Sequence, residues 1–108
     1  IHISWKAQKK GITKLSLGNY EIIVNFVRET IRFNDLEKHA DTAFIAFSHK
    51  ENLDLRLIID QEVLEFFGNH GIIYGAVEME ENILRSTLTV ESNAEISSME
   101  WCEIRVQA

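Results

Sequence analysis

The sequence predicts an all-β chain, a two-sheet antiparallel β-sandwich of the jelly-roll or lectin-like kind. Apolar residues recur at every second position in short stretches along its whole length. Turn-forming residues interrupt those stretches about every eight to twelve positions, and nowhere does an apolar period of 3.6 persist. Between residues 53 and 71 a strand, a polar break, a second strand and a Gly-Asn-His-Gly tip follow in the order of a β-hairpin, with a third strand beginning beyond them.

Each element follows from the same alternation. Ile1, Ile3 and Trp5 alternate with His2, Ser4 and Lys6, which gives a strand with one apolar face. A turn through Lys9-Lys10-Gly11 leads to Thr13, Leu15 and Leu17, and Gly18-Asn19 is a compact two-residue turn. Tyr20, Ile22, Val24 and Phe26 point to one side of the next strand, which runs to Val27; Arg28-Glu29 is a second two-residue turn before Ile31 and Phe33. The polar stretch from Asn34 to Asp41 is expected to be a loop crossing from one sheet to the other. Ala43-Phe44-Ile45-Ala46-Phe47, apolar on both faces, is expected to be a central strand.

The hairpin itself comes next, with Leu53, Leu55, Leu57 and Ile59 on one face of its first strand and Val63-Leu64-Glu65-Phe66-Phe67 in its second. Ile73, Gly75, Val77 and Met79 share a face of the following strand. Leu84, Ser86, Leu88 and Val90 then alternate with polar partners, and Ser92-Asn93 turns the chain again. In the last strand the apolar phase changes between Trp101 and Cys102, where a β-bulge would restore burial. The total is roughly nine or ten strands in a single domain spanning all 108 residues.

Composition narrows the function. Hydrophobic residues make up 45% and charged residues 26%, the balance of an ordinary globular chain. The longest apolar run is far short of the roughly 20 residues a spanning helix needs, so no membrane partner is expected. With 11 basic against 17 acidic residues, a formal charge of -6 opposes binding to a phosphate backbone, and no nucleic-acid partner is expected. A single cysteine, Cys102, excludes an internal disulfide.

Chemistry-bearing patterns are sparse. Glycoside hydrolysis needs two carboxyl groups converging on one bond, and Glu62 and Glu65, three apart on a strand, point to opposite faces. His2, His39, His49 and His70 lack companions at zinc-site spacing, and there is no glycine-rich phosphate loop or nucleophile elbow, so neither a metal nor a cofactor is expected. Sugar sites on β-sandwiches combine exposed aromatic faces with carboxylates and amides that bond hydroxyls. Trp5, Tyr20, Tyr74 and Trp101 are the available platforms, of which Trp5 and Trp101 fit better as core residues. Glu65, Asn69, Asp60 and Arg56 are the polar partners. Glu65 lies in phase with Val63 and Phe67, so its carboxylate must find a donor, whether Arg56, a backbone N–H or a ligand.

The hairpin also carries a resemblance. Leu55-Arg56, Asp60, Glu65, Phe67, Asn69 and Gly71 stand in the order and spacing of a hairpin in the C-terminal β-sandwich of glycoside hydrolase family 32, the family of invertases, sucrose-6-phosphate hydrolases, levanases and inulinases. Where that family carries Arg-Ser-Ser and Asn-Asp-Gly, this chain has Gln61-Glu62-Val63 and Asn69-His70-Gly71. The stretch from Ala94 to Trp101 also looks like the family's closing strand with its tryptophan. The resemblance implies a non-catalytic module cut from a longer glycosidase, with the N-terminal catalytic propeller as its partner. The propeller's catalytic motifs have no counterpart in this sequence, so the chain by itself is expected to hydrolyse nothing. The alternative is an autonomous module binding fructose-containing carbohydrate, with Glu65, Asn69, Asp60, Arg56, Tyr20 and Tyr74 as candidate contacts.

Overall fold

A computed structural model describes residues 1–37, 40–60, 63–69, 73–78 and 88–100. Ten strands lie among them: β1 His2–Trp5, β2 Ile12–Leu17, β3 Tyr20–Asn25, β4 Thr30–Asp35, β5 Ala40–Ala46, β6 Leu53–Asp60, β7 Val63–Gly68, β8 Ile73–Glu78, β9 Leu88–Ser92 and β10 Ile96–Glu100. They form two antiparallel five-stranded sheets, the first in the order β10-β1-β6-β7-β8 and the second in the order β5-β4-β3-β2-β9. The β-sandwich that the alternation predicts is the fold.

The period of two decides what lies between the sheets. Ile3, Trp5, Leu53, Leu55, Leu57, Leu64 and Phe66 of the first sheet meet Thr13, Leu15, Leu17, Tyr20, Ile22, Val24, Ile31 and Phe33 of the second, all of them buried. Burying each large aliphatic side chain contributes about 1.5–3 kcal/mol relative to leaving it in water. Two aromatic groups organise this layer. Trp5, Phe26 and Phe47 form a chain with centroids 6.2 and 5.3 Å apart. Phe33 stacks on Phe66 at 4.2 Å across the sheets. Gly75, in register with Phe66, leaves room for that ring, because a Cβ on residue 75 would come within 2.1 Å of its Cζ. Trp5 also carries a polar link from sheet to sheet: its Nε1–H donates to Thr13 Oγ1 at 2.9 Å, and Thr13 Oγ1 lies 2.7 Å from Ser92 Oγ.

Several connections differ from expectation. Gly18-Asn19 is the expected two-residue turn, with Gly18 at φ +60°, the backbone a type II′ hairpin asks of its first turn position. The next turn is longer than expected: β3 stops at Asn25 and four residues, 26–29, lead to β4. Asn25 Oδ1 accepts N–H bonds from Val27 and Arg28, and Phe26 leaves the strand to enter the core while its N–H donates to Gly11 O at 2.9 Å. The stretch from Asn34 to Asp41 does not cross between sheets. It holds the end of β4 and the start of β5, which pair with each other in the second sheet. Polar residues continue the ladder there because the buried Asp35 carboxylate accepts from Asn19 Nδ2 at 3.0 Å and from the Glu37 N–H at 3.1 Å. Nor is the apolar strand β5 central. It forms an edge of the second sheet, and its neighbour across the sandwich is β8, the edge of the first. The expected bulge at Trp101 and Cys102 lies outside the described residues; a register shift is found instead between Ser4 and Trp5, where β1 pairs with β10.

The chain changes sheets between β5 and β6, and Glu29 holds that crossing. Its backbone oxygen accepts from Phe47 N at 3.0 Å, its carboxylate accepts from His49 N at 3.0 Å, and His49 Nδ1 lies 3.1 Å from the same Oε2. Glu29 itself sits at φ +56°, a conformation a non-glycine residue adopts only when its surroundings fix it.

Two consequences can be measured. Thr13→Val keeps the shape of the side chain and removes the acceptor of the Trp5 N–H, leaving a buried donor unpaired. That costs about 1–3 kcal/mol, which lowers the thermal midpoint by roughly 4 °C or more per kcal/mol in a domain of this size. An unchanged midpoint would show that the link carries no stability. The Glu29 carboxyl is held below its usual value, first by the hydrogen bond from the His49 N–H and further by the charges of His49 and Lys50. Its contribution is therefore complete above the unfolded value of about 4.5 and is lost as pH falls through the lower folded value. Glu29→Gln should flatten the acid limb of stability measured by urea unfolding at successive pH values. Parallel acid limbs for the two proteins would contradict that assignment.

Candidate binding face

The alternation that buries Leu55, Leu57, Leu64 and Phe66 turns their neighbours outward, and the register then assembles them. His2 of β1 pairs with Arg56 of β6, Arg56 with Phe67 of β7, and Phe67 with Tyr74 of β8, so four side chains form one row across the outer face of the first sheet. The next row along the strands is Ile58, Glu65 and Ala76, and the backbone of Asp60 is in register with Val63. Tyr74 is 59% exposed and stands beside the half-buried Phe67, with ring centroids 5.2 Å apart and planes tilted by 54°. Ile58 and Val63 are also exposed.

The polar groups of this face divide into two sets. Asp54 is engaged: its Oδ1 meets His2 Nε2, and its N–H donates to Asn69 Oδ1 at 2.9 Å. Asn69 follows β7 at φ +47°, the left-handed region that asparagine tolerates better than most side chains. Arg56 and Glu65 are not engaged. They are diagonal neighbours on adjacent strands, yet neither has a hydrogen bond or ion pair among the described residues. The bond from Glu65 to Arg56 or to backbone that burial would favour is therefore not made, and a half-buried carboxylate is left facing outward beside an exposed guanidinium.

Five of the six residues singled out from sequence, Arg56, Asp60, Glu65, Asn69 and Tyr74, belong to the three consecutive strands β6 to β8 or the turn after β7. The sixth requires correction. Tyr20 begins β3 in the other sheet, is buried among the core side chains and offers no platform to a ligand. Its ring follows the phase of Ile22 and Val24, which the alternation of that strand already fixed. Trp5 is a core residue, as its phase suggested, and Trp101 lies outside the described residues. Sequence reasoning missed two participants. Phe67 shares the outward phase of Glu65 and could have been found from it. The His2 to Asp54 pair joins residues 52 positions apart and becomes visible only in the pairing of β1 with β6.

The outer face of the second sheet is different in kind. Lys14 on β2 lies 3.6 Å from Glu21 on β3 and 3.7 Å from Glu91 on β9, and Ser16, Arg32, Asn34 and Thr89 share that surface with the exposed Ile12 and the half-buried Ile23. Exposed pairs of this kind are worth little individually but keep a face in water. Among the described residues no group of three or more His, Cys, Asp or Glu side chains is placed to hold a metal ion, and no helix is long and apolar enough to cross a membrane. In comparisons with known proteins the chain matches no family model, no curated protein and no solved structure.

Asn69 is the residue whose double duty is easiest to test. Asn69→Gly keeps the left-handed backbone and loses only the bond to the Asp54 N–H, a net cost of about 0.5–1.5 kcal/mol. Asn69→Ala loses the bond and adds roughly 1–2 kcal/mol for a left-handed alanine. Thermal melting should therefore rank native above glycine above alanine; an alanine variant as stable as the glycine variant would refute the conformational part.

Proposed function

We propose that this chain is a non-catalytic β-sandwich module that works through the outer face of its first sheet, and that its partner is a catalytic propeller of the glycoside hydrolase family 32 type. The observation that carries the reading is the unlike chemistry of the two outer faces. Both expose some apolar side chains, Ile12 on the second sheet and Ile58, Val63 and Tyr74 on the first, but Lys14 of the second is paired with Glu21 and Glu91, whereas Arg56 and Glu65 of the first have no hydrogen bond or ion pair among the described residues. Exposed apolar groups interspersed with polar ones are what a protein contact surface presents. The identity of the partner rests on the hairpin, where Arg56, Glu65, Phe67 and Asn69 keep the order seen in that family's sandwich domain. In such an enzyme the module would brace the propeller and take no part in bond cleavage.

A second reading has its own observation. Tyr74, Phe67, Arg56 and Glu65 together are the aromatic and polar mixture that recognises sugars, which favours an autonomous module for fructose-containing carbohydrate. The two readings differ in what the isolated chain should bind.

The first is tested by mixing the chain with a family 32 propeller produced without its own sandwich and following backbone amide exchange. Slowed exchange along β6 to β8, with a raised melting temperature for the propeller, is the expected result. Protection confined to the second sheet, or none at all, would sink the docking assignment.

A further inference from the structure

The geometry points to a single-ring sugar subsite on the outer face of the first sheet, floored by Phe67, walled by Tyr74 on one side and Arg56 on the other, and closed along β7 by Glu65. It deepens the second of the two readings above by stating what size and charge of ligand the face accepts.

The dimensions come from the pairing. Arg56, Phe67 and Tyr74 are in register on three adjacent strands, so the outer two side chains start about 9.5–10 Å apart, twice the spacing between neighbouring strands. Glu65 is two residues along β7 from Phe67, roughly 6.5–7 Å away. A five- or six-membered sugar ring fits between such walls while lying against Phe67.

The angle between the aromatic rings selects the kind of sugar. A polysaccharide laid flat over several units needs platforms in one plane, whereas Phe67 and Tyr74 meet at 54° and form a corner. A corner receives one ring, with its C–H face on one aromatic side chain and its edge against the other.

The polar groups select its charge. Arg56 supplies donors only and ionised Glu65 acceptors only. Neither is satisfied among the described residues, whereas Asp54 is already occupied by His2 and its N–H by Asn69. A hydroxylated ring can accept from the guanidinium and donate to the carboxylate at once. An anionic ligand would gain from Arg56 and be opposed by Glu65, so a neutral sugar is the better complement.

The test is a titration of the whole chain, followed by two-dimensional amide NMR, with fructose, glucose, galactose, sucrose and levan oligosaccharides, and with inorganic phosphate as the anionic probe. The expected result is saturable shifts at the amides of Arg56, Glu65, Phe67 and Tyr74 for at least one neutral sugar. The single ring should bind about as tightly as an oligosaccharide carrying it. Tyr74→Ala and Glu65→Gln, both at the surface and checked for folding by thermal melting, should each weaken binding by roughly tenfold, the size of one lost stacking face or one charged hydrogen bond.

Affinity that climbs steeply with oligosaccharide length would overturn the single-ring site. So would phosphate shifts at the same amides, saturable shifts elsewhere, or silence across the whole panel. None of these outcomes bears on the propeller-docking reading, which is decided by amide exchange with the propeller present.

Discussion

The indole N–H of Trp5, bonded to Thr13 across the middle of the sandwich, is the constraint from which the other placements follow. It joins β1 of one sheet to β2 of the other in surroundings that exclude water, and Thr13 passes the contact on to Ser92 of β9. A buried N–H without an acceptor is costly, so the indole specifies which face of β1 is inside as well as filling space. Because side chains alternate with a period of two, that choice sends His2 and Ser4 outward, and the pairing with β6 sends Asp54 and Arg56 outward with them. The same logic runs through β7 to Glu65 and Phe67 and through β8 to Tyr74. A slip of one residue at β1 would turn His2 and Ser4 toward the core and Ile3 and Trp5 toward water.

The two strands that carry the middle of the row are anchored in the core. On β6 and β7, Leu55, Leu57, Leu64 and Phe66 are all buried, and Arg56, Glu65 and Phe67 each stand between two of them or next to one. Arg56, Glu65 and Phe67 thus have fixed backbones and only side-chain freedom to lose on binding, which keeps the ordering cost small. Asn69, tied to the Asp54 N–H, closes the same end of the hairpin. On the opposite sheet Lys14 lies between Glu21 and Glu91 and is engaged with both.

How much of this was legible in the sequence depended on the range of the interaction that decides it. The two sheets, the hairpin of β6 and β7 and the Gly18 turn were legible because they depend on neighbours two to four residues apart. The stretch from Asn34 to Asp41 was misread because its polar residues looked like loop. What lets them stay in the ladder is Asn19, which meets the Asp35 carboxylate from 16 residues away. Phe26 was expected in a strand and is instead a turn residue pointing into the core, held there by Gly11 and released from β3 by the Asn25 side chain. The apolar run of β5 suggested a central strand, but an edge that lies beside another sheet's edge has the same composition. At the site, Arg56, Glu65, Asn69 and Tyr74 were accessible through one hairpin and the strand after it. Tyr20 was chosen for its chemistry against its phase, and the phase was right.

The two carboxylates on the binding face show why residue type alone does not identify a site. Asp54 and Glu65 both point outward from adjacent central strands and differ in what surrounds them. Asp54 sits opposite Ser4, two residues along β1 from His2, and the imidazole takes its carboxylate. Glu65 lies between Ile58 and Ala76, neither of which can donate a hydrogen bond from its side chain, and its diagonal neighbour Arg56 stays exposed. The half-buried Glu65 side chain thus has no donor of its own among the described residues. The residue type is alike in the two cases; the neighbours that the register supplies decide which carboxylate is tied down and which is left open.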